Sequence, residues 1–118
     1  MSGGWVQSFN LTSDAKITLS FNYKLTQTPD YETDEYSEVL LLMDNVLVGQ
    51  GGNEFIAKIT GNGNWGDLIT TSWQQVELDL GMMPAGEHKL VIGAYNNKKT
   101  YSNESTELLV NSVLLTLQ

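Results

Sequence analysis

The 118 residues, 41% hydrophobic, suffice for one hydrophobic core but not two, so a single domain over 1–118 is expected. Fourteen acids against six lysines, with no arginine, leave a net charge of −8; this excludes a phosphate-neutralising nucleic-acid surface and disfavours anionic membranes. The absence of cysteine excludes disulfides, thiolate catalysis and zinc–thiolate sites.

No apolar run approaches the roughly 18 residues of a membrane-spanning helix, so no membrane insertion is expected, and no charged-then-apolar leader opens the chain. Met1-Ser2-Gly3-Gly4 reads as a start codon and linker on a module excised from a larger multidomain secreted protein. An acidic, cysteine-free composition suits a bacterial extracellular setting, where salt and calcium keep carboxylates solvated or chelated.

In chain order, "WVQSFNL" (5–11) is strand-like and ends at the turn signal Thr12-Ser13-Asp14. In "KITLSFNYKLT" (16–26), Ile17, Leu19, Phe21, Tyr23 and Leu25 alternate with polar residues, the period-two pattern of a strand with one wet face. The acidic "PDYETDEYSE" (29–38) follows, then "EVLLLMDNVLVG" (38–49), a buried strand with a short return through an Asp44-Asn45 turn, since both residues tolerate positive φ. Turn signals recur at 49–53 and 61–66. "QQVELDL" (74–80) alternates again, with Val76, Leu78 and Leu80 inward. After Pro84-Ala85-Gly86 come "HKLVIGAY" (88–95) and "TELLVNSVLLTL" (106–117), apolar on both faces in places. No segment carries a helical stripe. About eight strands with short polar connections predict an all-β antiparallel β-sandwich of the jelly-roll type. Both terminal segments are strand-like, which predicts ends lying near each other.

"GNGNWG" (61–66) matches the dinucleotide fingerprint, but no helix and no basic residue follow to hold a pyrophosphate. The same loop places Trp65 among glycines and Asn64, away from any apolar period. An exposed indole beside amides suits a sugar, whose C–H face stacks on the ring while its hydroxyls bond the amides; an indole folded back over the barrel edge is the alternative. His88 is the sole histidine, without a nominable Ser/His/Asp set, and so small a domain has little room for a two-carboxylate cleft, so no enzyme activity is expected.

"PDYETDEYSE" holds five carboxylates in ten residues. It is no EF-hand, because Glu35 stands where the loop glycine belongs and Leu41 where the closing glutamate belongs. On an extended chain, Asp30, Glu32 and Asp34 share one side while Tyr31, Glu35 and Ser37 take the other. Like charges so close call for a cation, and calcium, hard and oxygen-seeking, is the natural one. The amide-rich loop "YNNKKTYSNESTE" (95–107) offers the other half of the shell through Asn97 and Glu104. Two readings stay open beside it: Lys98 or Lys99 neutralises the acids by ion pairing, or the acids guard the "VLLLM" strand against edge aggregation. The candidate metal ligands are Glu32, Asp34, Asn97 and Glu104, with Ca2+ as the cofactor. The candidate ligand-facing set is Trp65, Asn64, Tyr31, Asn96, Lys99 and Tyr101.

Through "FNYKLTQTPDYETDEYSEVLLLMDN", "SWQQVELDLGMMPAGEHKLVIGAYNNKKT" and Glu104, the chain resembles bacterial jelly-roll modules. These lectin-like, carbohydrate-binding domains occur in large repeat adhesins and in multidomain polysaccharide-degrading enzymes. The resemblance implies a calcium ion and a glycan site near one sandwich edge. One departure is Asn111-Ser112, where an acidic pair is expected before the closing strand; if those acids are ligands in relatives, that ligand is missing here. The resulting expectation is a non-catalytic, calcium-stabilised module tethering its parent protein to a polysaccharide or cell-surface glycan, with other domains of the same chain as neighbours. The acidity favours neutral or calcium-bridged glycans. The alternative is a calcium-stapled spacer of an adhesin with no ligand of its own.

Overall fold

A computed structural model describes residues 4–29, 31–63, 68–97 and 105–117. Those residues form no helix and nine strands: β1 (Gly4–Leu11), β2 (Ala15–Gln27), β3 (Tyr36–Met43), β4 (Val46–Leu47), β5 (Ala57–Thr60), β6 (Ile69–Thr70), β7 (Gln74–Met83), β8 (Gly86–Asn96) and β9 (Thr106–Leu117). They build two antiparallel sheets, an arrangement compatible with a β-sandwich. One runs β1-β8-β3-β4 with β5 also on β3, and the other joins β2 to β6, β7 and β9.

The period-two pattern of β2 decides which face is dry. Ile17, Leu19, Phe21, Tyr23 and Leu25 are all buried, whereas Lys16 is exposed and Thr18, Ser20, Asn22, Lys24 and Thr26 are only half-buried. They meet Val39 and Leu41 of β3 and Leu90 and Ile92 of β8 in one apolar cluster shared by both sheets. Burial of such side chains contributes about 1.5–3 kcal/mol each.

The β3–β4 return turns on Asp44 and Asn45, at φ 52° and 68°, with Leu42 paired to Leu47 and Met43 to Val46. Positive φ at both central residues matches the right-handed twist of the flanking strands. On β9 the register against β2 shifts between Ser20 and Asn22, and Ser112 takes φ 55°. Asn111-Ser112, where the resemblance calls for acids, therefore stands at a bulge.

The expectation of neighbouring ends is corrected. Gly4 pairs with Gly93 near the Asn96 end of β8, whereas Leu117 pairs with Ile17 at the end where Leu11 meets Gly86. Being strand-like does not bring the ends together, because β9 runs the length of β2 away from Gly4.

Candidate functional site: an aromatic trough beside a pinned acidic turn

Residues 32–35 do not extend; they close a turn. The Glu35 N–H donates to the Glu32 carbonyl at 3.0 Å, and the Glu32 N–H donates back to Glu35 Oε1 at 2.8 Å. This corrects the alternating-side expectation, since Glu35 joins Glu32 and Asp34. One carboxylate oxygen from each lies within 4.8 Å of the other two, with Glu35 buried, Glu32 half-buried and Asp34 exposed.

The glycine loop holds the turn from one side. Gly61 N–H donates to the Glu35 carbonyl at 2.8 Å and Gly63 N–H to the Tyr31 carbonyl at 3.1 Å. A Cβ on Gly61 would stand 2.2 Å from the Glu32 carbonyl oxygen, and backbone cannot rotate away. Gly61→Ala is therefore expected to cost about 1–3 kcal/mol, read as a lower urea midpoint with an unchanged slope.

Asn97 holds the turn from the other side. Its Oδ1 accepts from Tyr36 N–H at 2.8 Å, its Nδ2 donates to the Asp34 carbonyl at 2.9 Å, and its own N–H donates to the Tyr36 carbonyl at 3.2 Å. The acidic stretch and the amide-rich loop thus do meet, through amide–backbone bonds at Asn97.

Beneath the turn lies a polar network joining both sheets. Ser37 and Thr106 hydroxyls donate to Asn96 Oδ1 at 2.7 and 2.8 Å, and Gln27 Nε2 donates to Ser37 Oγ at 3.1 Å. That leaves the Tyr31 phenol as donor to Thr106 Oγ1, at 2.9 Å. Buried polar groups cost least when paired in this way, and within this network Gln27 Oε1 has no hydrogen-bond partner among the described residues.

The outer face of β3 carries a second feature. Tyr36, Glu38 and Leu40 are half-buried while Ser37, Val39 and Leu41 are buried, so the first set faces out of the sandwich. Register places Tyr95, Glu38 and Lys58 in one row across β8, β3 and β5. The adjoining row, Gly4–Gly93–Leu40, has no side chain at two of its three positions. The Tyr36 and Tyr95 rings lie 6.4 Å apart and tilted by 51°. With Phe55, Asn53 and Glu54 of the 49–56 loop, and with Leu40 and Leu47, they line a trough of about 540 Å³. Burial lifts the Glu38 carboxyl above its usual range, with the Lys58 ammonium pulling the other way.

No family model, curated protein or solved structure matches the chain.

Of the sequence-derived ligand-facing set, Tyr31 is corrected: it is fully buried, its ring packed inside and its hydroxyl spent on Thr106, so it offers no face to a sugar. Asn96 is half-buried, with its Oδ1 accepting from Ser37 and Thr106. Trp65, Asn64, Lys99, Tyr101 and Glu104 lie outside the described residues, as do Asp30 and Lys98. Glu32, Asp34 and Glu35 bring carboxylate oxygens together, whereas Asn97 meets them through its bonds to the Asp34 carbonyl and the Tyr36 N–H, which already engage its Oδ1.

Sequence reasoning missed the trough. The available signal was the other parity of β3, where Tyr36 and Glu38 alternate with the core series. It missed the network too, although polar Gln27, Ser37 and Thr106 each continue an inward apolar series. His88 belongs to the opposite end of β8. Its Nδ1 lies 2.6 Å from Asp44 Oδ2 and its Nε2 lies 2.7 Å from the Pro84 carbonyl, so both ring nitrogens are engaged in structure.

Proposed function

We propose that this chain is a non-catalytic carbohydrate-binding module, with its glycan seated in the trough on the outer face of β3 and β8. The observation that carries the reading is the tilted Tyr36–Tyr95 pair beside Glu38 and Asn53. Aromatic faces take the C–H faces of a pyranose, while carboxylate and amide groups take its hydroxyls. The strand orders β1-β8-β3 and β2-β7, with chain segments alternating between sheets, support a jelly-roll connectivity. A polysaccharide or cell-surface glycan as partner, and an extracellular bacterial parent such as an adhesin or polysaccharide-degrading enzyme, complete the proposal.

Calcium is proposed as a staple of the acidic turn. Glu32, Asp34 and Glu35 form an all-oxygen donor set, and two of the three carboxylates reach solvent, so water can fill the remainder of the about six to eight positions calcium prefers. Its chemistry here is charge neutralisation that orders the turn. Calorimetric titration with calcium is expected to give saturable heat that Glu32→Gln abolishes. At a hundredfold excess over Kd the ion should stabilise the fold by about 2.7 kcal/mol. A featureless trace in both proteins would remove the ion.

The second reading, a calcium-stapled spacer without a ligand, is favoured by the pinned acidic turn alone and leaves the trough unused. A glycan array probed in calcium buffer separates the two. The module should retain a defined subset of glycans, whereas uniform silence would favour the spacer.

A further inference from the structure

The charges around the trough bear on which glycan fits it. Lys58 Nζ lies 4.1 Å from the centroid of the Tyr36 ring and 5.9 Å from that of Phe55, so an ammonium group already rests on the aromatic wall. Lys58 is exposed, and a cation–π contact in water is weak enough to exchange. Glu38 stands between Tyr95 and Lys58 in register and is half-buried. Among the described residues no lysine nitrogen comes within 4.0 Å of its carboxylate, since the lysine in its row leans to the ring instead. Glu54 adds a second acid at the rim, on a chain of net charge −8. A partly desolvated carboxylate gains most from a cation delivered beside it. A neutral sugar satisfies the rings but brings Glu38 no positive charge beyond the Lys58 ammonium already in its row, and a uronate or sulfated sugar is repelled.

We propose that the trough selects a glycan bearing protonated amines, a glucosamine-type polymer, whose ammonium groups meet Glu38 and the Tyr36 face while its pyranose faces stack on Tyr95. This inference rests on the glycan reading and narrows it to one ligand class.

The test is calorimetry of the full chain with three hexasaccharides: the glucosamine hexamer, its N-acetylated counterpart and cellohexaose. A mildly acidic buffer keeps the sugar amine protonated. The glucosamine hexamer should bind about tenfold more tightly than either neutral hexamer, the sum of one charge-assisted bond and one cation–π contact. Glu38→Gln should erase that preference, weakening the glucosamine hexamer about tenfold and the neutral hexamers far less. Lys58→Met, which removes the resident ammonium, should tighten the glucosamine hexamer a few-fold. Neutral hexamers binding as tightly as the amine would overturn amine selection and leave the glycan reading intact. So would silence with all three while another array glycan still binds. Silence across the array as well would remove both. Oligolysine binding as tightly as the glucosamine hexamer would overturn the assignment to a sugar.

Discussion

Tyr95→Ala is expected to weaken glycan binding at least tenfold while the chain stays folded. Tyr95 stands in the central row of the outer face beside Glu38, with its ring 6.4 Å from that of Tyr36. A sugar stacked there loses both the ring's area and the stacking preference, and truncating such an aromatic anchor typically costs about 2 kcal/mol or more. At about 1.4 kcal/mol per decade, this is more than tenfold in Kd. Tyr95 is only half-buried and lies outside the core cluster, so its removal should cost the fold about 1 kcal/mol. Tyr95→Phe keeps the ring and should keep most of the affinity. Calorimetry and urea melts on both variants separate loss of binding from loss of folding; equal affinities for all three proteins would place the ligand elsewhere.

The second large effect is a pH dependence of stability centred on His88. The imidazole is buried, stacked on Phe9 at 5.5 Å, and both its nitrogens face oxygen acceptors. Only the protonated ring can donate to both. The hydrogen bond to Asp44 raises its pKa, and the Pro84 carbonyl adds to this. The stabilisation is complete below the unfolded imidazole value of about 6.5 and is lost as pH rises through the raised folded value. Asp44 works in the opposite sense. The His88 bond, followed by the Lys89 N–H, holds its carboxyl below the usual range. Its contribution is present above about pH 3.9 and is lost as pH falls through the depressed folded value. The pair therefore contributes most between about pH 4 and 6.5.

Asp44→Asn keeps an acceptor for Lys89 N–H and suits the positive φ of the turn, yet it removes the charge. At mildly acidic pH it should cost about 1–2 kcal/mol, a figure discounted because the Asp44 side chain is 43% exposed. Urea melts across pH should show the wild-type advantage over Asp44→Asn shrinking as pH rises above neutrality. An advantage that stays constant with pH would mean that His88 is not charged in the folded protein.

Much of this was legible in the sequence wherever the signal is local. The alternation in β2 names its own buried face, and Asp44-Asn45 announces its turn because few other residues accept positive φ in succession. The acidic stretch announced a cluster of carboxylates but not its geometry. Parity assigned Glu35 to the far side, which holds only for extended chain. What bends the chain is Gly61 and Gly63 bonding to Tyr31 and Glu35 from across the fold, together with Asn97 from β8's far end. The trough was hidden for a related reason. Tyr36, Glu38, Phe55, Lys58 and Tyr95 become neighbours only through the pairing of β3 with β5 and β8, a register that no local pattern specifies. Trp65 drew attention because its surroundings are locally unusual, whereas Tyr95 sits in an apolar run and looks like core.

The most direct test of the proposed binding site is a backbone chemical-shift titration with the tightest oligosaccharide from the array. The trough predicts the largest perturbations at Tyr36, Glu38, Asn53, Phe55, Gly93 and Tyr95, with β7 and β9 silent. Shifts centred on other segments, with these residues unmoved at saturation, would contradict it.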